Sequence, residues 1–176
     1  NEQAPVKTTR DGSSVTVERW EFDQPAPSYF RAMAGMKRDD RVDRWLNLVY
    51  TPASFVRLDI GAAPAGQGAQ DGDRSAFPTV RNMNAITPET DKTTHYFWAS
   101  AINYDLKDES LMEIDFRMVH DAFLEDIDII EAQQVNMDVS PYTRLNMQGD
   151  AGGVQAMRVL DETIAAENGE AVEAAE

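Results

Sequence analysis

Two histidines, His95 and His120, and no cysteine limit how this chain could hold a metal or perform nucleophilic catalysis. Against that scarcity stand 31 acidic residues, and one of them, Asp126, is placed unlike the rest. Val119, Phe123, Ile127, Ile130 and Met137 recur at helical spacing, which predicts a long helix from about Glu109 to about Met137. Asp126 lies on the stripe of Val119, Phe123 and Ile130, whereas Asp121, Glu125 and Asp128 fall toward the other side as a solvated face does. An ionised carboxylate buried without a partner is costly, or has its pKa driven upward, so Asp126 calls for a cation or strong donors nearby. A buried aspartate satisfied by Arg or backbone N–H groups is the commoner outcome of such a pattern; a metal ligand is the other.

A two-histidine, one-carboxylate metal site needs three ligands converging on one point. His120 precedes Asp126 by six residues, about 240° round a helix of about 3.6 residues per turn, so the two side chains diverge. His95 opens a strand and reads as a core or hairpin residue. A complete triad within the chain is therefore not expected. Neither a Gly-x-Ser-x-Gly elbow nor a phosphate-binding glycine loop occurs, and the carboxylates are too numerous for spacing to single out an acid/base pair. Tyr96, Phe97 and Trp98, with Trp20 and Trp45, could line an aromatic pocket or simply fill a core.

The elements that would position these residues read in order. A hairpin turns at Asp11-Gly12, and Pro25 and Pro27 stop its second strand. A short helix over Tyr29 to Met36 follows, then two strands between Asp43 and Ala63, separated by Thr51-Pro52-Ala53. Gly61 to Asp73 reads as a loop by composition. Val80 to Ile86 and His95 to Tyr104 are strands joined by a connection short enough for antiparallel pairing. After the long helix, a second runs from Asp150 to about Glu167 and stops at Asn168-Gly169. Strands first and helices last, without βαβ alternation, indicate an α+β domain.

The chain has 176 residues, enough for one domain, with a net charge of −15 that repels phosphate backbones and anionic membranes. Nucleic acid and membrane are therefore not expected partners. Without cysteine the chain carries no iron–sulfur cluster of its own, and a cytoplasmic setting is the default. The expected division is a domain over residues 1–168 and an acidic tail over 169–176.

Several segments resemble one family in order along the chain: Val42-Asp43-Arg44-Trp45, Asp59-Ile60-Gly61, Gly72-Asp73-Arg74-Ser75, Thr87-Pro88-Glu89-Thr90 with Thr94-His95-Tyr96-Phe97-Trp98, Glu125-Asp126 with Glu131-Ala132-Gln133-Gln134, and Asp150-Ala151-Gly152-Gly153. They are similar to the C-terminal catalytic domain of Rieske non-haem iron oxygenases of the vanillate O-demethylase type. The resemblance implies a helix-grip fold, a curved antiparallel sheet packed on a long C-terminal helix. It assigns Asp126 as the carboxylate ligand of mononuclear Fe(II), and Asn84, Tyr96 and Trp98 to the substrate pocket.

The family's paired histidines and its Rieske [2Fe–2S] ligands have no counterpart here. The expectation is thus a truncated portion of the domain, cut just after the metal motif, binding no cofactor alone. The parent would take a small aromatic substrate and O2, receive electrons from a reductase, and form a homotrimer. Its expected reaction is O-demethylation of a methoxylated aromatic acid, with ring or other C–H hydroxylation as the alternative. A non-enzymatic helix-grip module binding an apolar ligand is the alternative of a different class.

Overall fold

The turn at Asp11-Gly12 joins β1 (Val6–Asp11) to β2 (Ser14–Pro25), with Gly12 at φ +57, where a Cβ is disfavoured. The computed structural model of the chain describes residues 6–139 and 145–169. Beyond the hairpin come α1 (Ser28–Met33), β3 (Arg41–Thr51), β4 (Phe55–Pro64), β5 (Thr79–Pro88), β6 (Thr94–Ile102), α2 (Glu109–Val139) and α3 (Ala151–Glu167). All six strands form one antiparallel sheet in sequence order. The α+β expectation is met, with a curved sheet and one long helix.

The two faces of the sheet differ. Residues directly opposite one another in antiparallel pairs share a face, and two rows can be followed across five strands. One row is Val17, Leu48, Leu58, Asn82 and Ser100; its neighbour is Val15, Tyr50, Val56, Asn84 and Trp98. The helices cover this inner face. Phe30 of α1 packs with Ala26, Val42 and Ala62. The start of α3 lies so close to β2 that a Cβ on Gly152 would fall 2.4 Å from Val17 Cγ2, and Val159 of α3 is buried. Arg10 of β1 forms an ion pair with Glu162 that fastens the same helix at the surface.

On the outer face, Trp20 and Trp45 pack with Ala63 and Ala69, and the Arg74 guanidinium lies 5.7 and 5.4 Å from their rings. A Cβ on Gly61 would sit 1.9 Å from Trp45, so only glycine lets that indole cross β4, and Asp59 accepts its N–H at 2.9 Å. Asp43 is buried and accepts from the backbone N–H groups of Asp23 and Gly66, at 2.9 and 2.8 Å. It thereby ties the β2 bulge between Glu21 and Gln24 to the chain beyond β4. Much of the motif pattern around Val42–Trp45 and Asp59–Gly61 thus builds the sheet.

Both long helices fall where the sequence predicts them, and the short helix, expected over Tyr29 to Met36, ends at Met33. The reading of Gly61 to Asp73 as loop is corrected at its start: β4 continues to Pro64, because Gly61, Ala62 and Ala63 are small residues buried under Trp45 and Phe30. Residues 170–176 of the expected acidic tail, and residues 1–5, lie outside the described residues. Among the described residues no helix is long and apolar enough to cross a membrane.

Candidate substrate face and metal ligand

Asn84, Tyr96 and Trp98 converge on the inner face. Asn84 lies opposite Trp98 across β5 and β6, and Tyr96 follows opposite Ile86. Tyr96 donates its hydroxyl proton to Asn84 Oδ1 at 3.0 Å, and Asn84 Nδ2 donates to the Val56 carbonyl at 3.3 Å. Asn84 is only 4% exposed, so both ends of its amide are occupied by protein. Phe116 of α2 stacks on Trp98 at 5.2 Å between ring centroids, and Phe123 meets Tyr96 and Trp98 edge-on at 5.2 and 5.6 Å. The helix brings its aromatics to the sheet at the spacing expected of one face, since Phe116 and Phe123 are two turns apart.

Beside this contact runs a groove of about 750 Å³ whose walls include Trp98, Ser100, Met112, Asp115, Phe116 and His120. Phe97 faces the opposite way and is 60% exposed, and Trp20 and Trp45 belong to the outer face. The aromatic cluster suggested by the sequence is therefore split between two faces by strand alternation.

Asp126 lies on the side of α2 facing Tyr96. Burial pushes the Tyr96 phenol pKa up, and the negative charge of Asp126 pushes it further in the same direction. The expectation that Asp126 is buried among donors is corrected: it is exposed. Ile127 and Ile130 around it are exposed as well. Among the described residues, Asp126 enters no side-chain hydrogen bond, whereas Glu113 bonds to Arg117, Asp121 to His120, and Asp138 to Lys92 and Gln134 on the same helix.

The buried carboxylate of α2 is instead Asp115, eleven residues earlier and about three turns up the same face. Tyr29 of α1 donates to its Oδ1 at 2.6 Å. Burial, and then this bond to a carboxylate, drive the Tyr29 hydroxyl pKa far above its ordinary value; burial likewise raises that of neighbouring Tyr104. Sequence reasoning passed over Asp115, although its offset from Asp126 and its position one turn before Val119 were the available signals.

Among the described residues, no group of three or more His, Cys, Asp or Glu side chains comes together in a way that could hold a metal ion. His120 stacks on Phe116 at 5.6 Å and lies 3.4 Å from Asp121. His95 sits 3.6 Å from Glu89 across the β5–β6 connection, a hairpin position. Among the described residues, neither histidine therefore stands with Asp126 in a cluster of metal-ligating side chains.

Known proteins match along nearly the whole chain. The vanillate O-demethylase oxygenase subunit of Pseudomonas sp. strain HR199 is 36% identical over 99% of this chain and 50% of its own length. A toluene-4-sulfonate monooxygenase system iron-sulfur subunit of Comamonas testosteroni is 33% identical over 93% of the chain and 47% of its own. The chain thus spans about half the length of the curated relatives it matches. Among solved structures, apo dicamba monooxygenase superimposes with a TM-score of 0.76 at 17% identity, over 93% of this chain and 50% of that one, which shows a shared fold. With residues 1–166 matched by the model for the vanillate O-demethylase oxygenase C-terminal domain, the chain belongs to that family.

Proposed function

We propose that this chain is the substrate-binding, catalytic-domain portion of a Rieske-type monooxygenase that O-demethylates a methoxylated aromatic acid. One observation carries the reading: in a member of this family, Asn84, Tyr96 and Trp98 line the inner face directly beneath α2, and the exposed Asp126 lies toward Tyr96. Apolar residues and a few convergent polar groups are what a site for a small aromatic compound requires. The names of the relatives, all oxygenase or monooxygenase components, favour an enzyme over an apolar-ligand module without chemistry.

Asp126 fits one position of a two-histidine, one-carboxylate iron site, being an exposed hard oxygen donor that no side chain among the described residues engages. Its two histidine companions would come from outside this chain. Iron bound there would supply the activation of dioxygen. The residues at hand bind and orient: Trp98 and Phe123 give the ring an aromatic wall, and the Tyr96–Asn84 bond fixes the polar edge of that wall. The raised Tyr96 pKa keeps this hydroxyl a proton donor at neutral pH. Electrons would arrive from a reductase through a Rieske [2Fe–2S] cluster of the parent, a homotrimer in which they cross between subunits. The proposed setting is cytoplasmic.

Oxidation of a C–H bond other than a methoxy carbon is a second reading, favoured by relatives named for toluene-4-sulfonate, whose methyl group carries no ether oxygen. Product analysis separates the two. Given a Rieske reductase, O2 and vanillate, the polypeptide that carries this sequence is expected to release formaldehyde and the catechol in equal amounts. A hydroxylated product that retains its methoxy group would move the assignment to the second reading.

A further inference from the structure

Thr87-Pro88-Glu89-Thr90 and Glu131-Ala132-Gln133-Gln134, two of the segments that carry the family resemblance, lie far apart in sequence and meet at one ion pair. The Thr90 hydroxyl oxygen accepts from the backbone N–H groups of Lys92 and Thr93, at 3.2 and 3.0 Å, and the N–H groups of Glu89 and Thr90 both donate to the Thr93 carbonyl. These bonds set the tip of the β5–β6 hairpin, with Lys92 on it. Lys92 Nζ donates to Asp138 Oδ2 at 2.7 Å, and Gln134, one turn earlier on α2, donates to the other carboxylate oxygen at 3.2 Å. The bond from Lys92 holds the Asp138 carboxyl below its ordinary pKa.

Asp138 stands in the last turn of α2, where the helix presents its negative end, and that turn contains no basic residue. A carboxylate there opposes the helix dipole, so the helix's own stability does not account for it. The compensating cation comes from the hairpin instead. Toward its start, α2 is held to the body: Leu111 and Asp115 are buried, and Phe116 and Phe123 pack on Trp98 and Tyr96. Beyond Phe123, the side chains of Leu124, Ile129, Ile130 and Val135 are exposed. A helical stretch with little packing is marginal in water and opens easily. Asp126 lies in that stretch, with about 18 Å of helix between it and Asp138.

We propose that Lys92 and Asp138 form a latch that positions the metal-ligand segment of α2, the hairpin tip gripping the helix beyond Asp126 as the Phe123 contacts grip it before. This rests on the reading of Asp126 as an iron ligand. Both are positioning residues, acting through the helix and touching neither metal nor substrate. The requirement is geometric: a ligand must be held within about 0.5 Å of its productive place, which support at two points secures and a fraying helix end does not. An exposed ion pair contributes modestly, so the latch lowers the population of open helix ends by about three- to fivefold and does not decide folding.

Two measurements on the polypeptide that carries this sequence test the latch: amide hydrogen exchange along α2, and the rate at which ferrozine removes mononuclear Fe(II). Lys92→Ala and Asp138→Asn should each quicken exchange over Leu124 to Asp138 about three- to fivefold and leave Leu111 to Phe123 unchanged. Asp138→Asn discriminates, because removing a negative charge from the negative end of a helix would by itself slow exchange. Iron release should quicken by a similar factor in both variants while the [2Fe–2S] spectrum stays as in the wild type. Lys92→Arg, which keeps the cation, should retain the wild-type values of both. Slower or unchanged exchange in Asp138→Asn overturns the latch. Quickened exchange with iron release at the wild-type rate leaves an ordinary surface ion pair and overturns the positioning role, while Asp126→Ala free of mononuclear iron keeps the ligand reading standing. Full mononuclear iron in Asp126→Ala overturns that reading and the positioning role together.

Discussion

Asp115 and Asp126 stand on the same face of one helix, about three turns apart, and meet opposite environments. Asp115 is 5% exposed and takes the Tyr29 hydroxyl proton at 2.6 Å; Asp126 is exposed and enters none of the side-chain bonds along α2. Where α2 meets α1 at Tyr29, the carboxylate is enclosed and hydrogen-bonded; farther along the same face, beside Tyr96 of β6, it stays open. A buried aspartate here serves the fold, and the exposed one is left free to serve something else.

The comparison can be broken by measuring what each carboxylate contributes to stability. Asp115→Ala leaves the Tyr29 hydroxyl unpaired and is expected to lower stability by about 2–3 kcal/mol in urea unfolding. Tyr29→Phe removes the donor while the carboxylate remains, and should cost about 1–2 kcal/mol. Asp126→Ala is expected to change stability by no more than about 0.5 kcal/mol, as exposed positions do. A loss from Asp126→Ala as large as that from Asp115→Ala would erase the distinction.

An exposed carboxylate with a partner sharpens the same comparison. The bond from Arg10 holds Glu162 below its ordinary pKa of 4.5. A depressed folded-state pKa means that its contribution is present above 4.5 and is lost as pH falls below that value through the folded pKa. Amide exchange in α3 should therefore quicken relative to β3 only below this point, and Arg10→Gln should remove that pH dependence. This is the smallest of the expected effects, because the pair is open to solvent and salt.

How much of this could be read from the residues divides along physical lines. Periodicities are local, so the hairpin at Asp11-Gly12, the strand pairs and the two long helices were legible. Strand alternation also separates Tyr96 and Trp98 from Phe97. Burial along α2 was not legible, because it depends on what packs against each turn, as Tyr29 of α1 does against Asp115. The apolar stripe through Val119, Phe123 and Ile130 implied an enclosed Asp126, whereas only its first part is covered. Asp115 escaped notice because its partner, Tyr29, is distant in sequence. That Asn82 and Ser100, both without a side-chain partner among the described residues, stand opposite one another required the register of β5 and β6, and neither residue type is distinctive on a strand. The assignment of Asp126 to iron came from resemblance along the chain, not from any spacing of ligands within it.

Mononuclear iron content tests the central claim most directly. In the polypeptide that carries this sequence, Asp126→Ala should abolish mononuclear iron while leaving the [2Fe–2S] cluster spectrum unchanged, and Asp115→Asn should retain both. Full mononuclear iron in Asp126→Ala, or its loss in Asp115→Asn with the fold intact, would contradict the division of labour between the two carboxylates.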